Sequence, residues 1–253
     1  MRRWAAALAI GLLALPLGGS DASAAPNPGC ASSLAAVAWS NFATAAPGTV
    51  LTFHVAVANV GSTTCTLITS ATSPLFRVMD AAGREIWDST EVNGHPGPIP
   101  LFLAQRTLAP GTVLRASARW DQHTASGLAP RGGDRLVVTT SGAPSAVASL
   151  RLGLENGPPT VVLPPAGSLT ALARVGAAVV LVAAGGLYVY GAPIVRGPLA
   201  RTQRRVGRAL VLTAVATAPG IATITSSASP VCYPQCLMPS RLLTWRVRII
   251  AAP

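Results

Sequence analysis

The chain has 253 residues, of which 50% are hydrophobic and 11% are charged, and it is rich in glycine (24) and proline (22). This composition argues against a helical protein and favours many short strands joined by tight turns. The formal net charge of +11 is uneven, because residues 156–253 contain nine arginines and neither aspartate nor glutamate. Such a basic half is expected to attract anionic material, unless its arginines only keep an apolar domain soluble.

The first 24 residues have the three parts of a secretory signal peptide. Two arginines follow the initial methionine, an uncharged stretch of 14 residues runs from Trp4 to Leu17, and Ala22-Ser23-Ala24 is a small-residue cleavage site. We therefore expect a mature chain that begins near Ala25, is secreted and folds in an oxidising environment. Two alternatives are an uncleaved anchor, which the short apolar stretch disfavours, and a lipoprotein, which the residues before Cys30 disfavour.

The remaining residues are enough for two domains with hydrophobic cores. We predict an all-β protein of two immunoglobulin-like β-sandwich domains. The first domain is expected at 25–154 and the second, basic domain at 160–253. A linker is expected at 155–159, where turn-forming residues precede two prolines.

Four cysteines in an exported chain predict two disulfides, for which three pairings are possible. Cys30 and Cys65 lie in the first domain, whereas Cys232 and Cys236 lie close together in the second. Pairing within each domain is the simplest arrangement. The three-residue spacer of the second pair differs from a redox C-x-x-C motif, and no histidine lies nearby to complete a zinc site. We therefore expect no metal and no cofactor.

Alternating apolar residues mark the strands of the first domain. Thr49–Asn59 has one apolar face and one mixed face, and the segment from Val113 to Trp120 alternates as regularly. Leu75–Met79, a turn at Asp80–Gly83 and the following Glu85-Ile86-Trp87 predict a hairpin. The apolar face of the first strand comprises Leu51, Phe53, Val55 and Val57, and its mixed face comprises Thr52, His54, Ala56 and Ala58.

Within this domain, Leu75–Asp121 resembles the bacterial intracellular proteinase inhibitor family. The shared pattern is an aromatic strand, a D-x-x-G turn with an apolar-Trp pair, an L-x-P-G turn and a strand that ends in Trp. The matching positions are Phe76, Asp80, Gly83, Ile86, Trp87, Leu108, Pro110, Gly111 and Trp120. The resemblance implies an immunoglobulin-like fold and proteinase inhibition. The candidate inhibitory loop is the segment from Asp88 to Pro100, which is the longest Gly/Pro-rich connection of the first domain.

Short strands are also predicted in the second domain, and the last one, Leu243–Ile250, alternates clearly. Its core side comprises Leu243, Trp245, Val247 and Ile249, and its other side comprises Thr244, Arg246, Arg248 and Ile250. The segment from Ala218 to Cys236, with this terminal strand, is loosely similar to C-terminal β domains of secreted bacterial proteins. No binding residue is carried over from either resemblance.

The segment Val175–Val195 has 21 uncharged residues, which is long enough for a transmembrane helix. Gly185-Gly186 at its centre, a β-branched run before them and alternating tyrosines after them favour a buried hairpin instead. We therefore predict a hairpin, with a membrane-anchored surface protein as the alternative.

A cluster of arginines follows this segment and is a candidate anion-binding site. Its spacing fits one face of a helix or a solvated loop, of which the loop is favoured. The members are Arg201, Arg204, Arg205 and Arg208.

Residues suited to catalysis are few and scattered. Ser117, Asp121 and His123 are close enough in sequence for a catalytic triad, but Ser117 lies within a predicted strand and has neither a nucleophile elbow nor a glycine-rich oxyanion loop around it. The second domain has no carboxylate side chain for acid–base catalysis. We therefore predict that the protein is not an enzyme and has no catalytic residue.

These observations predict a secreted, non-enzymatic binding or structural protein that acts outside the cell. The alternatives are a secreted proteinase inhibitor and a membrane-anchored surface protein. Its ligand is unknown, with an anionic cell-surface polymer, a membrane surface and a protein as candidates. Nucleic acid is not expected, because no aromatic-interleaved basic motif accompanies the arginines.

Overall fold

The computed structural model describes residues 30–70, 73–92, 95–96, 103–124, 127–129, 132–140, 143–153, 155–166, 170–232 and 238–252. The predicted signal peptide and Cys236 lie outside these ranges. The fold is all-β, since the described elements are strands apart from one short helix, α1 (Cys30–Ser33). We call residues 30–153 the N-terminal half and residues 160–252 the C-terminal half.

The strands of the N-terminal half are β1 (Leu34–Ser40), β2 (Thr44–Ala45), β3 (Leu51–Asn59), β4 (Cys65–Ser70), β5 (Leu75–Met79), β6 (Glu85–Asp88), β7 (Glu91–Val92), β8 (His95–Pro96), β9 (Leu103–Leu108), β10 (Val113–Trp120), β11 (His123–Thr124), β12 (Gly127–Leu128), β13 (Gly132–Thr139) and β14 (Ala146–Leu152). Those of the C-terminal half are β15 (Val161–Leu163), β16 (Thr170–Arg174), β17 (Ala178–Ala184), β18 (Tyr188–Tyr190), β19 (Ile194–Arg196), β20 (Leu199–Val206), β21 (Ala209–Ala216), β22 (Gly220–Pro230) and β23 (Arg241–Ile250).

In the N-terminal half, a sheet of order β1-β3-β10 packs on a sheet of order β2-β14-β13-β5-β6. The predicted apolar face of β3 lies between them, together with residues of β13 and β14. Phe53, Trp87 and Trp120 form the aromatic centre of this core, with ring centroids 5.6 to 6.2 Å apart. The predicted alternation in β3 and β10 is therefore confirmed.

The predicted hairpin of β5 and β6 is also present. In its turn, the Asp80 carboxylate accepts hydrogen bonds from the backbone N and the Nε of Arg84, both at 2.8 Å. These bonds lower the pKa of Asp80, with the backbone bond as the main cause. Gly83 has a φ of 80°, which favours glycine.

The predicted disulfide between Cys30 and Cys65 is present, and both residues are buried. It links α1 to the start of β4. Cys232 is also disulfide-bonded, whereas its predicted partner Cys236 lies outside the described residues.

In the C-terminal half, a sheet of order β15-β17-β21-β20 faces a sheet of order β16-β23-β22-β18, in which β19 also pairs with β22. Trp245 lies fully buried between them, and its indole Nε1 donates to the Pro164 carbonyl at 2.9 Å. The predicted core side of β23 is confirmed, since Trp245, Val247 and Ile249 are buried and Leu243 packs against them.

The hairpin predicted for Val175–Val195 is wrong. Although β17 and β18 flank Gly185-Gly186, β17 pairs with β15 and β21, whereas β18 pairs with β22 in the opposite sheet. The glycine turn therefore connects the two sheets. Strand β17 is apolar throughout because one of its sides faces the C-terminal core and the other faces the N-terminal half.

This segment does not form the alternative transmembrane helix either, since its regular elements are strands. Among the residues that the structure describes, no helix is long and apolar enough to cross a membrane.

The two halves meet where the outer face of the β1-β3-β10 sheet packs on the outer face of the β15-β17-β21-β20 sheet. We call the outer face of β15-β17-β21-β20 the covered face. Small apolar side chains let the two sheets approach closely. Backbone bonds from Gly185 N to Gly111 O (3.1 Å) and from Arg208 N to Val60 O (2.9 Å) link the halves. The buried contact residues are Ala35, Val37, Ala56, Ala58, Val180, Val182, Ala209 and Val211.

The predicted linker 155–159 is bonded to the N-terminal half. The Asn156 side-chain oxygen accepts bonds from Ala46 N (2.9 Å) and Thr49 Oγ1 (3.1 Å), and Gly157 N donates to Thr44 O at 2.9 Å. The predicted domain boundaries remain a prediction.

Candidate anion-binding face

The outer face of the β16-β23-β22 sheet, with β19, carries four exposed arginines. We call this the basic face. Its position follows from strand alternation, because Ala173, Ala222, Ile224 and Val247 point into the core and their neighbours therefore point outward. The arginines of the basic face are Arg174, Arg196, Arg246 and Arg248.

Strand register places these arginines near one another. Arg246 is aligned with Thr223 of β22, which is in turn aligned with Arg196 of β19. Because neighbouring strands lie about 4.8 Å apart, the backbones of Arg246 and Arg196 are separated by about 10 Å. Arg248 lies two residues further along β23, and Arg174 is aligned with Ile250 of the same strand.

Threonines and large aliphatic residues occupy the positions between these arginines. Thr170 and Thr223 flank Arg246 on the two neighbouring strands, and Leu172 and Ile221 flank Arg248 in the same way. Leu172 is 60% exposed and Ile221 is 69% exposed. The surface is thus a mixture of cationic, hydroxyl and aliphatic groups.

The charge of this face is not neutralised by ion pairs in the described part of the chain. Arg77–Glu85 and Arg84–Asp80 are salt bridges of the N-terminal half, and the His123 imidazole lies 3.3 Å from the Asp121 carboxylate in the same half. Since residues 156–253 contain no acidic side chain, the guanidinium groups of the basic face are available to an anionic partner.

The arginine cluster predicted from the sequence lies neither on a helix nor in a long loop. Arg201, Arg204 and Arg205 lie on β20, an edge strand, and Arg208 lies in the turn before β21. The helix and loop predictions are wrong because residues 199–206 pair with β21, with an irregularity between Arg201 and Gln203.

This pairing also distributes the cluster over two sides of the strand. Arg201 and Arg204 are aligned with Ala214 and Leu212, which face the core, whereas Arg205 is aligned with Val211 of the covered face. Exposed charges protect a sheet edge from pairing with another chain. Protection of the sheet edge therefore accounts for the exposed arginines of β20, but it does not account for the arginines of the basic face.

The sequence contained part of the signal for the basic face. The alternation of β23 placed Arg246 and Arg248 on its outer side, but Arg174 and Arg196 join them only through long-range pairing. The parallel pair of β16 and β23 connects residues more than 70 positions apart, and no local pattern specifies such a pair.

The candidate triad Ser117, Asp121 and His123 lies in the N-terminal half, apart from the basic face, and so does His54. Ser117 is exposed on β10, and His123 pairs with Asp121 at 3.3 Å. His54 is half-buried and stacks on Trp39 at a centroid distance of 5.3 Å. Burial lowers the pKa of His54.

The segment from Asp88 to Pro100, which is the candidate inhibitory loop, lies partly outside the described residues.

Searches with the sequence find no matching family model and no matching curated protein. The structure has partial similarity to a cysteine protease inhibitor from Entamoeba histolytica, with 13% identity, a TM-score of 0.27 and coverage of 36% of this chain and 93% of the inhibitor. It also has similarity to a β-glucosidase from Listeria innocua, with 13% identity, a TM-score of 0.31 and coverage of 47% and 16%. A third is alpha-2-macroglobulin from Escherichia coli, with 11% identity, a TM-score of 0.27 and coverage of 87% and 22%.

At these TM-scores the similarities support no functional inference. The resemblance of Leu75–Asp121 to the intracellular proteinase inhibitor family, and the inhibitory activity that it implies, remain predictions.

Proposed function

We propose that the protein is a secreted, non-enzymatic binding protein that attaches to anionic material outside the cell through its basic face. The observation that carries the proposal is the grouping of four exposed arginines on one sheet face, in a half of the chain without acidic residues. A guanidinium group stays charged and presents a planar set of donors that fits phosphate, sulfate or carboxylate oxygens.

Two further features support this function. The sheet holds the arginine backbones in fixed positions, so that less conformational entropy is lost on binding than in a flexible tail. The Cys30–Cys65 disulfide suits an oxidising compartment outside the cytoplasm.

Binding of the full mature chain to dextran sulfate, measured by isothermal titration calorimetry at increasing salt, tests the proposal. We expect the affinity to fall steeply as salt rises, because the attraction is screened. Replacing two arginines of the basic face, Arg246→Gln with Arg248→Gln, should lower the affinity by about 10-fold or more.

The matched control is Arg204→Gln with Arg205→Gln on edge strand β20, which removes the same charge from another surface. This control should stay within about 3-fold of the wild-type affinity, since β20 belongs to the other sheet of the sandwich and its exposed charges lie outside the proposed contact, where salt screens them. Equal losses in both variants would mean that net charge alone drives binding. Absence of salt-dependent binding by the wild-type chain would refute the proposal.

A further inference from the structure

The apolar side chains of the basic face indicate which kind of anionic partner it fits. Eleven large hydrophobic residues are exposed in the described part of the chain, and seven of them lie on the β16-β23-β22-β18 sheet or directly beside its strands. Scattered exposed residues are common on proteins, whereas a cluster marks a contact surface. The seven residues are Leu172, Leu187, Val189, Ile194, Ile221, Val231 and Leu242.

These residues have an ordered arrangement. Leu172, Ile194 and Ile221 lie among the arginines, as the strand register requires. Leu187 and Val231 are joined by a backbone bond of 2.8 Å at one end of the sheet. Val189 and Leu242 point outward near that end, because Tyr190 and Leu243 beside them face the core. The end of the sheet that carries these four aliphatic residues is therefore continuous with the region that carries the arginines.

We infer that the basic face docks flat on an anionic phospholipid surface, with its arginines at the headgroups and its aliphatic side chains in the acyl boundary. This inference rests on the proposed function and names its partner. A soluble polyanion offers partners for the arginines but no apolar phase for Leu172 and Ile221, which are 60% and 69% exposed. A bilayer interface offers both, and arginine can extend its charged end to the phosphates while its stem stays in apolar surroundings.

The charge of the C-terminal half suits this partner as well. Each cationic residue near an anionic leaflet strengthens binding, and an acidic residue would weaken it. Residues 156–253 supply nine arginines and no acid. The opposite outer face of the sandwich packs on the N-terminal half. Within the described part of the chain, the arginines, Leu172 and Ile221 of the basic face are exposed.

Co-sedimentation of the full mature chain with phosphatidylcholine vesicles, with and without phosphatidylglycerol, tests this inference. We expect binding only to the vesicles that contain phosphatidylglycerol. Two exposed aliphatic residues are then replaced, Leu172→Ser with Ile221→Ser, which should lower vesicle affinity by about 10-fold or more because less apolar surface is buried. The same variant should bind dextran sulfate as the wild type does.

Insertion is measured directly with an Ile221→Trp variant and vesicles that contain brominated acyl chains. Its added fluorescence should be quenched, whereas the emission of the wild-type chain, including buried Trp245, should stay unchanged. Far-ultraviolet circular dichroism shows whether each variant keeps the wild-type fold.

The outcomes separate this inference from the proposed function. If the chain binds dextran sulfate but not anionic vesicles, or if the aliphatic variant binds vesicles like the wild type, the lipid inference is overturned and the anion-binding face stands. If the chain binds neither probe, both are overturned.

Discussion

The two outer faces of the C-terminal sandwich are built from similar strands but have opposite surfaces. The covered face presents Val180, Val182, Ala209 and Val211 to the N-terminal half, and each of them is 2% exposed or less. The basic face presents arginines, threonines and large aliphatic residues to solvent. The close contact between the halves is made by small, uncharged side chains. The composition of the basic face is instead suited to a partner that supplies both anionic and apolar groups.

Polar contacts at the covered face lie beside its apolar centre. Arg115 Nη2 donates to Val182 O at 3.1 Å, and Gln203 Nε2 donates to Ala36 O at 3.1 Å. An apolar centre beside polar contacts is the usual organisation of a protein interface. The covered face is therefore a buried contact between the halves, whereas the arginines, Leu172 and Ile221 of the basic face are exposed.

The largest expected difference between the faces comes from one added charge. Val211→Arg places an unpaired guanidinium in the buried contact and should lower the free energy of unfolding by more than about 3 kcal/mol. Ile221→Arg makes a similar change on the basic face and should alter it by less than about 0.5 kcal/mol. Urea denaturation of both variants measures the two values. Equal effects would show that the faces do not differ in burial.

A smaller effect is expected from a methyl group at the contact between the halves. A Cβ at Gly207 would lie 2.0 Å from the Val60 carbonyl oxygen, so Gly207→Ala must displace backbone. We expect it to lower the free energy of unfolding by about 2 kcal/mol. Gly133→Ala, where a Cβ meets nothing within 4 Å, is the control and should change it by less than about 0.5 kcal/mol. Thermal denaturation of both proteins gives the comparison, and a stable Gly207→Ala variant would argue against the close approach.

The smallest effect is a difference in pH dependence. Burial lowers the pKa of His54 from 6.5, so the folded state favours the neutral imidazole and the unfolded state takes up the proton first. The contribution of His54 to stability is therefore complete above pH 6.5 and declines as the pH falls below it. His54→Gln should lose this decline in urea midpoints measured between pH 7.5 and 5, whereas His123→Gln should retain it.

Anion binding should behave differently over the same range, because arginine keeps its charge. Dextran sulfate affinity of the basic face should stay constant between pH 7.5 and 5. A parallel change in affinity and stability would mean that protonation of His54 in the N-terminal half also affects the basic face.

Local patterns predicted much of the fold. The alternation in β3, β10 and β23 identified their core sides, and Asp80 with Gly83 identified a hairpin turn. The cysteine positions allowed the Cys30–Cys65 pair. These features depend on residues that are close in sequence, or on a small number of possible pairings.

Features that depend on strand partners could not be predicted. Ala56 and Ala58 looked like one side of a mixed, outer face, but they pack on the C-terminal half. Gly185-Gly186 predicted a turn, but nothing local indicated that the strands on either side belong to different sheets. For the same reason, the local sequence groups Arg201, Arg204, Arg205 and Arg208, whereas the arginines of the basic face come from three strands that are distant in sequence.

Arginine footprinting tests most directly whether the basic face is the binding surface. The chain without the predicted signal peptide is treated with phenylglyoxal with and without dextran sulfate, and modification is quantified by mass spectrometry. We predict that the ligand protects Arg174, Arg196, Arg246 and Arg248, while Arg201 and Arg204 on the edge strand stay reactive. Protection of the edge arginines with a reactive basic face, or uniform protection of all arginines, would contradict this assignment.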